Sequence, residues 1–510
     1  MRKLFKKSIN VHKSSTNQNS SVNIKESVLG NIESNELILK NAFNNSEDFV
    51  FYKFTALDST DIAIAYISSM VKKELINKEI IKPLINNLQD NQNKLNEKTI
   101  KQWIPATDIR EVEKLSEVID KILMGHVILF LNISNKAFII DVKGFQERAV
   151  EAPDTEQVVR GPREGFVENI DTNISLLRRR IKNPNFIIKN FEVGRQTRTR
   201  VCICYIKGIA NEDVLNEIIK RLNNIDTDAI LDSGYIEEYI EDSPIYPFDT
   251  ITNSIKPDTI AAKILEGRIG IICDGSPHVL AAPRLFIENF HVNEDYYFRP
   301  MLSSFLRCLR IFAFLISVFL PGIWVALQTF HQEMIPTLIL IGVAGSREGV
   351  PFPAVAESFL MIILFELLRE SGTRLPKPIG QAIGIVGALI LGETAVNAGV
   401  VGGFMVIVIG TTGVASFILP HMTETILIYR FVILFLGAFM GLFGIAAAVF
   451  IMVTQICSLT SIGVPYIATI AYANKESLVK DFIIRFPLDK MRYRPYSISK
   501  NRIRQSKHSR

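Results

Sequence analysis

Residues 311–330 read Ile-Phe-Ala-Phe-Leu-Ile-Ser-Val-Phe-Leu-Pro-Gly-Ile-Trp-Val-Ala-Leu-Gln-Thr-Phe, twenty positions without a charge. As a helix, at about 1.5 Å per residue, that stretch spans roughly 30 Å, the depth of a bilayer core. Working outward, the charge-free pattern returns downstream. Residues 378–392 are uncharged up to Glu393, residues 394–423 are uncharged again, and 431–474 run 44 positions with no Lys, Arg, Asp or Glu. Upstream of Pro300, charges recur every few positions. A mean hydropathy of +0.21 alongside 21% charged residues is therefore the sum of a polar half and an oily half. The fold class expected is an α/β soluble N-terminal region of two subdomains followed by an all-α polytopic membrane domain.

The remaining composition mostly excludes. A chain of 510 residues is long enough for several domains. Disorder, collagen-like repeats and a small disulfide scaffold are ruled out by 48% hydrophobic content and only five cysteines. A net charge of +5 gives no reason to expect nucleic acid as a partner. Residues 1–26 hold six basic residues within an Asn/Ser-rich stretch and no apolar secretory core, so a disordered basic tail is expected there.

The first soluble subdomain is placed at 27–150. Asp61-Ile-Ala-Ile-Ala-Tyr-Ile predicts a buried strand feeding a helix that ends at Pro83, and residues 126–132 and 136–142 predict a hairpin across Ser134-Asn135. The second occupies 151–300. Its opening, Arg160-Gly-Pro-Arg-Glu-Gly-Phe-Val-Glu, lacks the ending of a phosphate loop and reads as a helix start. Phe166, Ile170, Ile174, Leu177 and Ile181 then mark one helical face closed by Arg178, Arg179 and Arg180. Strands near 186–193, 199–206, 269–273 and 278–282 and a helix over 212–222 complete an α/β pattern with no long repeat visible.

The membrane domain is placed at 301–475, with four spans at 307–330, 379–400, 402–420 and 429–455. Residues 334–371 are more polar, and a re-entrant or interface-lying pair is expected there. Arg299, Arg307 and Arg310 precede the first span, and from Arg485 onward nine basic residues face one acid, Asp489. By the positive-inside rule both the N-terminal domain and the basic tail, 476–510, face the cytoplasm, which an even count of four spans satisfies. If residues 334–371 cross fully, the count becomes five and the tail lies outside.

Glu393 is the residue the charge gaps single out, with Asn397 one helical turn later. A carboxylate in hydrocarbon costs about 2.5–3.5 kcal/mol on insertion scales. Such a residue either lines an aqueous path, where a ring of carboxylates would attract cations, or is a hydrogen-bonded tie between helices. Glu357 and Glu366 pose the same alternative. Gly399, Gly403, Gly437 and Gly441 allow close helix approach, either inside one subunit or at a homo-oligomer interface.

Enzyme motifs are lacking. The seven histidines are scattered, with no His-x-x-x-His, no Gly-x-Ser-x-Gly and no Walker A sequence. Neither catalysis, a cofactor nor a bound metal is expected. Cys202 and Cys204 alternate along one strand and read as small buried hydrophobes, because no second Cys/His pair accompanies them.

Several long strings in order resemble the A subunit of GerA-type spore germinant receptors. They are Arg160-Gly-Pro-Arg-Glu-Gly-Phe-Val-Glu, Leu176-Leu-Arg-Arg-Arg-Ile, Gly275-Ser-Pro-His-Val-Leu, Glu294-Asp-Tyr-Tyr-Phe-Arg-Pro and Leu320-Pro-Gly. Further along come Thr329-Phe-His-Gln-Glu-Met-Ile-Pro-Thr, Arg347-Glu-Gly-Val-Pro-Phe-Pro, Arg374-Leu-Pro-Lys-Pro-Ile-Gly-Gln-Ala, Ile385-Val-Gly-Ala-Leu and Gly463-Val-Pro-Tyr. The likeness covers roughly residues 140–470. It implies a subunit of the spore inner membrane that works with a transporter-like B subunit and a lipoprotein C subunit, and that oligomerises into a nutrient-gated cation channel. An A-like paralogue from the operon for dipicolinate release shares most of these strings. A non-conducting scaffold and a solute transporter are the other classes open to such a chain. The resemblance carries no catalytic residues, and the pore candidates come from charge alone.

Overall fold

A computed structural model describes residues 27–374 apart from 56–60, 91–99, 101, 105–108, 133, 143–155 and 157–158, then residues 392–468 and most of 481–504. The expected disordered tail lies outside the described residues, as does most of the expected span 379–400. Two compact units emerge. One comprises residues 1–147 with 178–187, the other 148–177 with 188–510.

The first unit opens with α1 (Ile32–Ala42), capped by the Asn31 side chain on the Glu33 N–H. A five-stranded sheet follows, with β1 (Phe49–Thr55), β2 (Asp61–Ile67), β3 (Ile109–Val112), β4 (Val127–Leu131) and β5 (Ala137–Ile140) in the order β1-β2-β4-β5-β3. The hairpin expected around Ser134 is β4–β5, antiparallel with Val127 opposite Ile140. Strands β2, β4 and β5 are apolar on both faces because helices α2 (Lys82–Asp90) and α3 (Leu115–Leu123) and α1 all bury against the sheet. Pro83 does not end its helix. The turn before it, Ile76–Ile81, is widened to π geometry, with the Lys82 N–H reaching back five residues to Asn77. That extra residue absorbs the donor the proline lacks. Arg178 closes this unit. Its guanidinium is buried against both carboxylate oxygens of Asp48, each at 2.8 Å, and donates to Ser46 at 3.0 Å.

The second unit contains a sheet of the same order: β6 (Phe186–Val193), β7 (Thr199–Ile206), β9 (Ile269–Cys273), β10 (Val279–Ala282) and β8 (Thr252–Ser254). Helix α4 (Ile170–Arg180) precedes β6 as α1 precedes β1, and α5 (Glu212–Asn223), α6 (Ser233–Ile240) and α7 (Pro257–Glu266) fill the connections. The soluble region is therefore a duplicated unit, although no long repeat is visible in sequence. Side chains repeat the relation. Asn35 bonds the N–H and C=O of Leu29 at 3.1 and 2.6 Å, and Asn173 bonds those of Val167 at 2.9 and 2.5 Å. The expected helix start at Pro162 is corrected by the same contacts. Residues 162–168 run as an extended strap whose Phe166 N–H donates to Ile255 at 2.8 Å, and the helix begins only after Asn169 caps Thr172. Cys202, Cys204 and Cys273 are all buried.

The helical half consists of α8 (Pro300–Phe330), α9 (Thr337–Ser346), α10 (Ala354–Arg374), α11 (Gly403–Ser416) and α12 (Thr423–Ser458). Among the described residues, two helices, 300–330 and 420–458, are long and apolar enough to cross a membrane. The segment expected at 429–455 is not one straight crossing. Gly441 has φ +60° and ψ −142°, and the chain doubles back there. A Cβ on Gly444 would fall on the Leu436 carbonyl, and the Tyr429 hydroxyl donates to Gln455, 26 residues on. Helix α12 is thus a hairpin of two legs, Thr423 to Met440 and Leu442 to Ser458, each about 25–27 Å long.

The first leg runs parallel to α8. Arg430 lies beside Ser317, Gly437 beside Gly322, and Gly441 beside Phe330 and His331. Helix α10 runs the other way: Glu357 meets Gly402 at the end where Phe404 stacks on Trp324, and Glu366 is at the level of Arg430. The second leg returns to the α/β domain. There the short hairpin β11 (Thr460–Ser461) and β12 (Val464–Pro465) docks, with Ser461 donating to Thr250 at 2.6 Å.

Candidate functional site in the helical half

Three buried charge sites organise this half. At the foot of α8, Asp295 is fully buried and accepts from Arg307 at 3.1 Å and Arg310 at 2.8 Å, and Arg307 reaches Asp481 at 2.9 Å. These arginines, read in sequence as flanking charges, therefore tie α8 to the domain beneath it. Next to them, Glu288 receives Lys263 and Arg268. Burial alone would raise the Glu288 carboxyl, but the two cations outweigh it and hold it down at about 2.

The second site is at Pro321, inside α8. Pro321 has no N–H, so the Ser317 carbonyl one turn below has no helical donor. Arg430 Nε supplies one at 2.8 Å, and Nη1 of the same guanidinium meets Glu366 at 3.0 Å. Glu366 also pairs with Arg369 at 2.6 Å. One side chain thus joins α8, α10 and α12. The third site is at the opposite end of α10. Glu357, 1% exposed, pairs with Arg347 at 3.0 Å and accepts the Gly402 N–H at 3.1 Å, holding the loops before α10 and α11 together.

Glu393 is of a different kind. It and Asn397 lie one turn apart on the helical turn 392–397, both exposed, and Glu393 forms no ion pair among the described residues. The glycines divide likewise. Gly437 touches the Gly322 carbonyl and Gly399 faces the Gly349 carbonyl, so both serve packing inside the chain. Gly441 makes the elbow. Gly403 faces open space.

A further group lies in the α/β domain, under the two roots of α12. Asp242 accepts from Thr460 at 2.5 Å and Gly463 at 3.0 Å and pairs with Arg221 at 2.6 Å. Tyr466 donates to the Asp249 carbonyl at 3.0 Å and accepts from Asn289 at 2.8 Å. On α6, burial and then the nearby Glu241 and Asp249 carboxylates push Glu237 up to about 8. Sequence reading passed over this group because Asp242, Asp249 and Asn289 meet partners 177 to 221 residues away. Among the described residues no cluster of metal-ligating side chains occurs.

Within the second unit, buried ion pairs tie the start of the apolar helical half to the α/β domain that precedes it. The family described as Bacillus/Clostridium GerA spore germination protein matches residues 37–497. The chain belongs to that family, the germinant-receptor A subunits. It is 39% identical to spore germination protein KA of Bacillus subtilis, over 92% of this chain and 87% of that one. It is 36% identical to spore germination protein GerLA of Bacillus cereus, over 86% and 89%. Among solved structures, the N-terminal domain of the A subunit of the Bacillus megaterium spore germinant receptor GerK3 is 32% identical. That likeness covers 51% of this chain and 98% of the other, with a TM-score of 0.41.

Proposed function

We propose that this chain is the A subunit of a germinant receptor of the spore inner membrane. In this reading it acts with B and C subunits and assembles with copies of itself around a cation path lined by Glu393 and Asn397. The α/β domain and tail face the spore core. The observation that carries the path is the contrast among three carboxylates. Glu357 and Glu366 are neutralised by arginines within the chain, while Glu393 stands exposed without one among the described residues. A carboxylate in an apolar half needs water or a counter-ion, and a ring of copies around an aqueous path provides both. The names of the relatives support the receptor role.

Two measurements test this. Potassium release is followed from dormant spores lacking the chain, across a panel of nutrients. Loss of release for a subset makes it a receptor subunit for those triggers, whereas normal release for every nutrient removes the assignment. In spores carrying Glu393→Gln at parental protein level, slower release is expected. An unchanged rate would leave the carboxylate without a role in the path, and the chain as a scaffold for its partners.

A further inference from the structure

We propose that the turn at residues 243–246 is a lipid-contacting tip, with Ile245 and Tyr246 seated at the boundary between headgroups and acyl chains. The inference rests on the reading that the helical half lies in a bilayer. The turn is closed by the Tyr246 N–H on the Ser243 carbonyl at 3.3 Å, with Pro244 in the position where its fixed φ favours a turn. Ile245 is 95% exposed and Tyr246 41%.

Both flanks are pinned. On one side Asp242 holds Thr460 and Gly463, just beyond the end of α12 at Ser458. On the other, the Pro247 carbonyl accepts from the Thr425 hydroxyl, in the first turn of α12, and Phe248 packs 5.4 Å from Tyr429. The four residues between are therefore held where both legs of the α12 hairpin leave the bundle. Their depth follows from the parallel packing of α8 and the first leg. Arg430 is level with Ser317, which puts Thr425 level with Phe312. Phe312 is exposed, and so are Leu309 and Phe305 below it, so the outward apolar surface of α8 continues past the height of the tip.

A single exposed isoleucine is ordinary on a protein surface. One held rigidly at the roots of two apolar legs, beside a tyrosine, has the composition of an interfacial anchor: an apolar body with a ring that tolerates the wet side. The flanking charges, Asp242 and Asp249, are acidic, so attraction to anionic headgroups is not what seats it.

The test uses the full chain in nanodiscs, in a Trp103→Phe/Trp324→Phe background with one new tryptophan at a time. Lipids are brominated either near the glycerol or at mid-chain. Ile245→Trp is expected to be quenched more by the shallow bromines than by the deep ones, and to be shielded from aqueous iodide. Phe435→Trp, exposed higher on the first leg, serves as the reference and should be quenched by the deep bromines. If Phe435→Trp is quenched while Ile245→Trp responds only to iodide, the tip is in water and the proposal fails. Shielding of Ile245→Trp from both quenchers means that protein covers it, which also overturns lipid contact. If Phe435→Trp escapes bromine too, the bilayer placement of the helical half is what has failed, and the tip goes with it. Tyr246→Trp gives the same readings should Ile245→Trp not fold.

Discussion

Pro321 removes a hydrogen-bond donor from the middle of α8, and Arg430 brings one in from another helix. The arrangement makes a specific demand on energetics. Arg430→Met leaves the Ser317 carbonyl bare and Glu366 with Arg369 alone, a loss of about 3–5 kcal/mol for a broken buried pair. Pro321→Ala returns a backbone N–H to the same carbonyl, so Arg430→Met should cost less in that background. Thermal unfolding in detergent of the two single variants and the double should give a coupling of about 0.5–3 kcal/mol. Strict additivity would mean that Arg430 does not stand in for the missing donor at the Ser317 carbonyl. Sequence reading did not single out Arg430, which falls inside the expected span 429–455, immediately before a 44-residue charge-free run. The available signal was Leu320-Pro-Gly, since a proline inside an apolar helix creates an orphan carbonyl that something must satisfy.

Among elements, the α12 hairpin most changes the expected picture. Apolar length and lack of charge located it, but neither property encodes direction, and no proline or charge marks the reversal. The spacing Gly437-x-x-x-Gly441 was legible as close packing, and Gly437 does meet Gly322. Gly441 serves another end, a backbone geometry that residues with a Cβ rarely adopt. Gly441→Ala should therefore be destabilising by about 1–3 kcal/mol through backbone strain, with its Cβ also pressed on His331. Gly403→Ala has open space around it and should be neutral or stabilising by up to ~1 kcal/mol. Loss of self-association in a still-folded Gly403→Ala chain, read by crosslinking in native membranes, would mark that glycine as part of an interface between copies. The duplication of the soluble sheets was also within reach. Asn31-Ile-Glu-Ser-Asn35 is echoed by Asn169-Ile-Asp-Thr-Asn173, each ahead of a helix and two strands. A five-residue echo is short against 510 residues, and the strands themselves have diverged in all but their apolar pattern.

For the whole molecule, opposed carboxyl groups shape stability against pH. Glu288, held at about 2 by Lys263 and Arg268, contributes stability that is fully present above its ordinary value of 4.5 and lost as pH falls toward 2. Glu237, pushed up to about 8, behaves inversely. The folded chain binds that proton more tightly than the unfolded chain, so stability declines as pH rises from about 4.5 to 8 and levels off above. Thermal unfolding of the detergent-solubilised chain is expected to peak near pH 5, with Glu237→Gln flattening the alkaline decline and leaving the acid limb intact. A decline that persists in Glu237→Gln would assign it to other groups.

The return of α12 to the α/β domain also sets an order of manufacture. Ile462, Val464, Ala468 and Ile498 line the same core as Ile203, Ile271 and Leu280, on strands made some 200 residues earlier. A ribosome thus delivers most of that core, then every helix of the apolar half, and only afterwards the residues that close its open flank. Until the hairpin has turned at Gly441 and come back, the nascent domain has an unsealed apolar side. Premature termination anywhere before residue 460 would leave that seam apart, however well the helices themselves had been inserted.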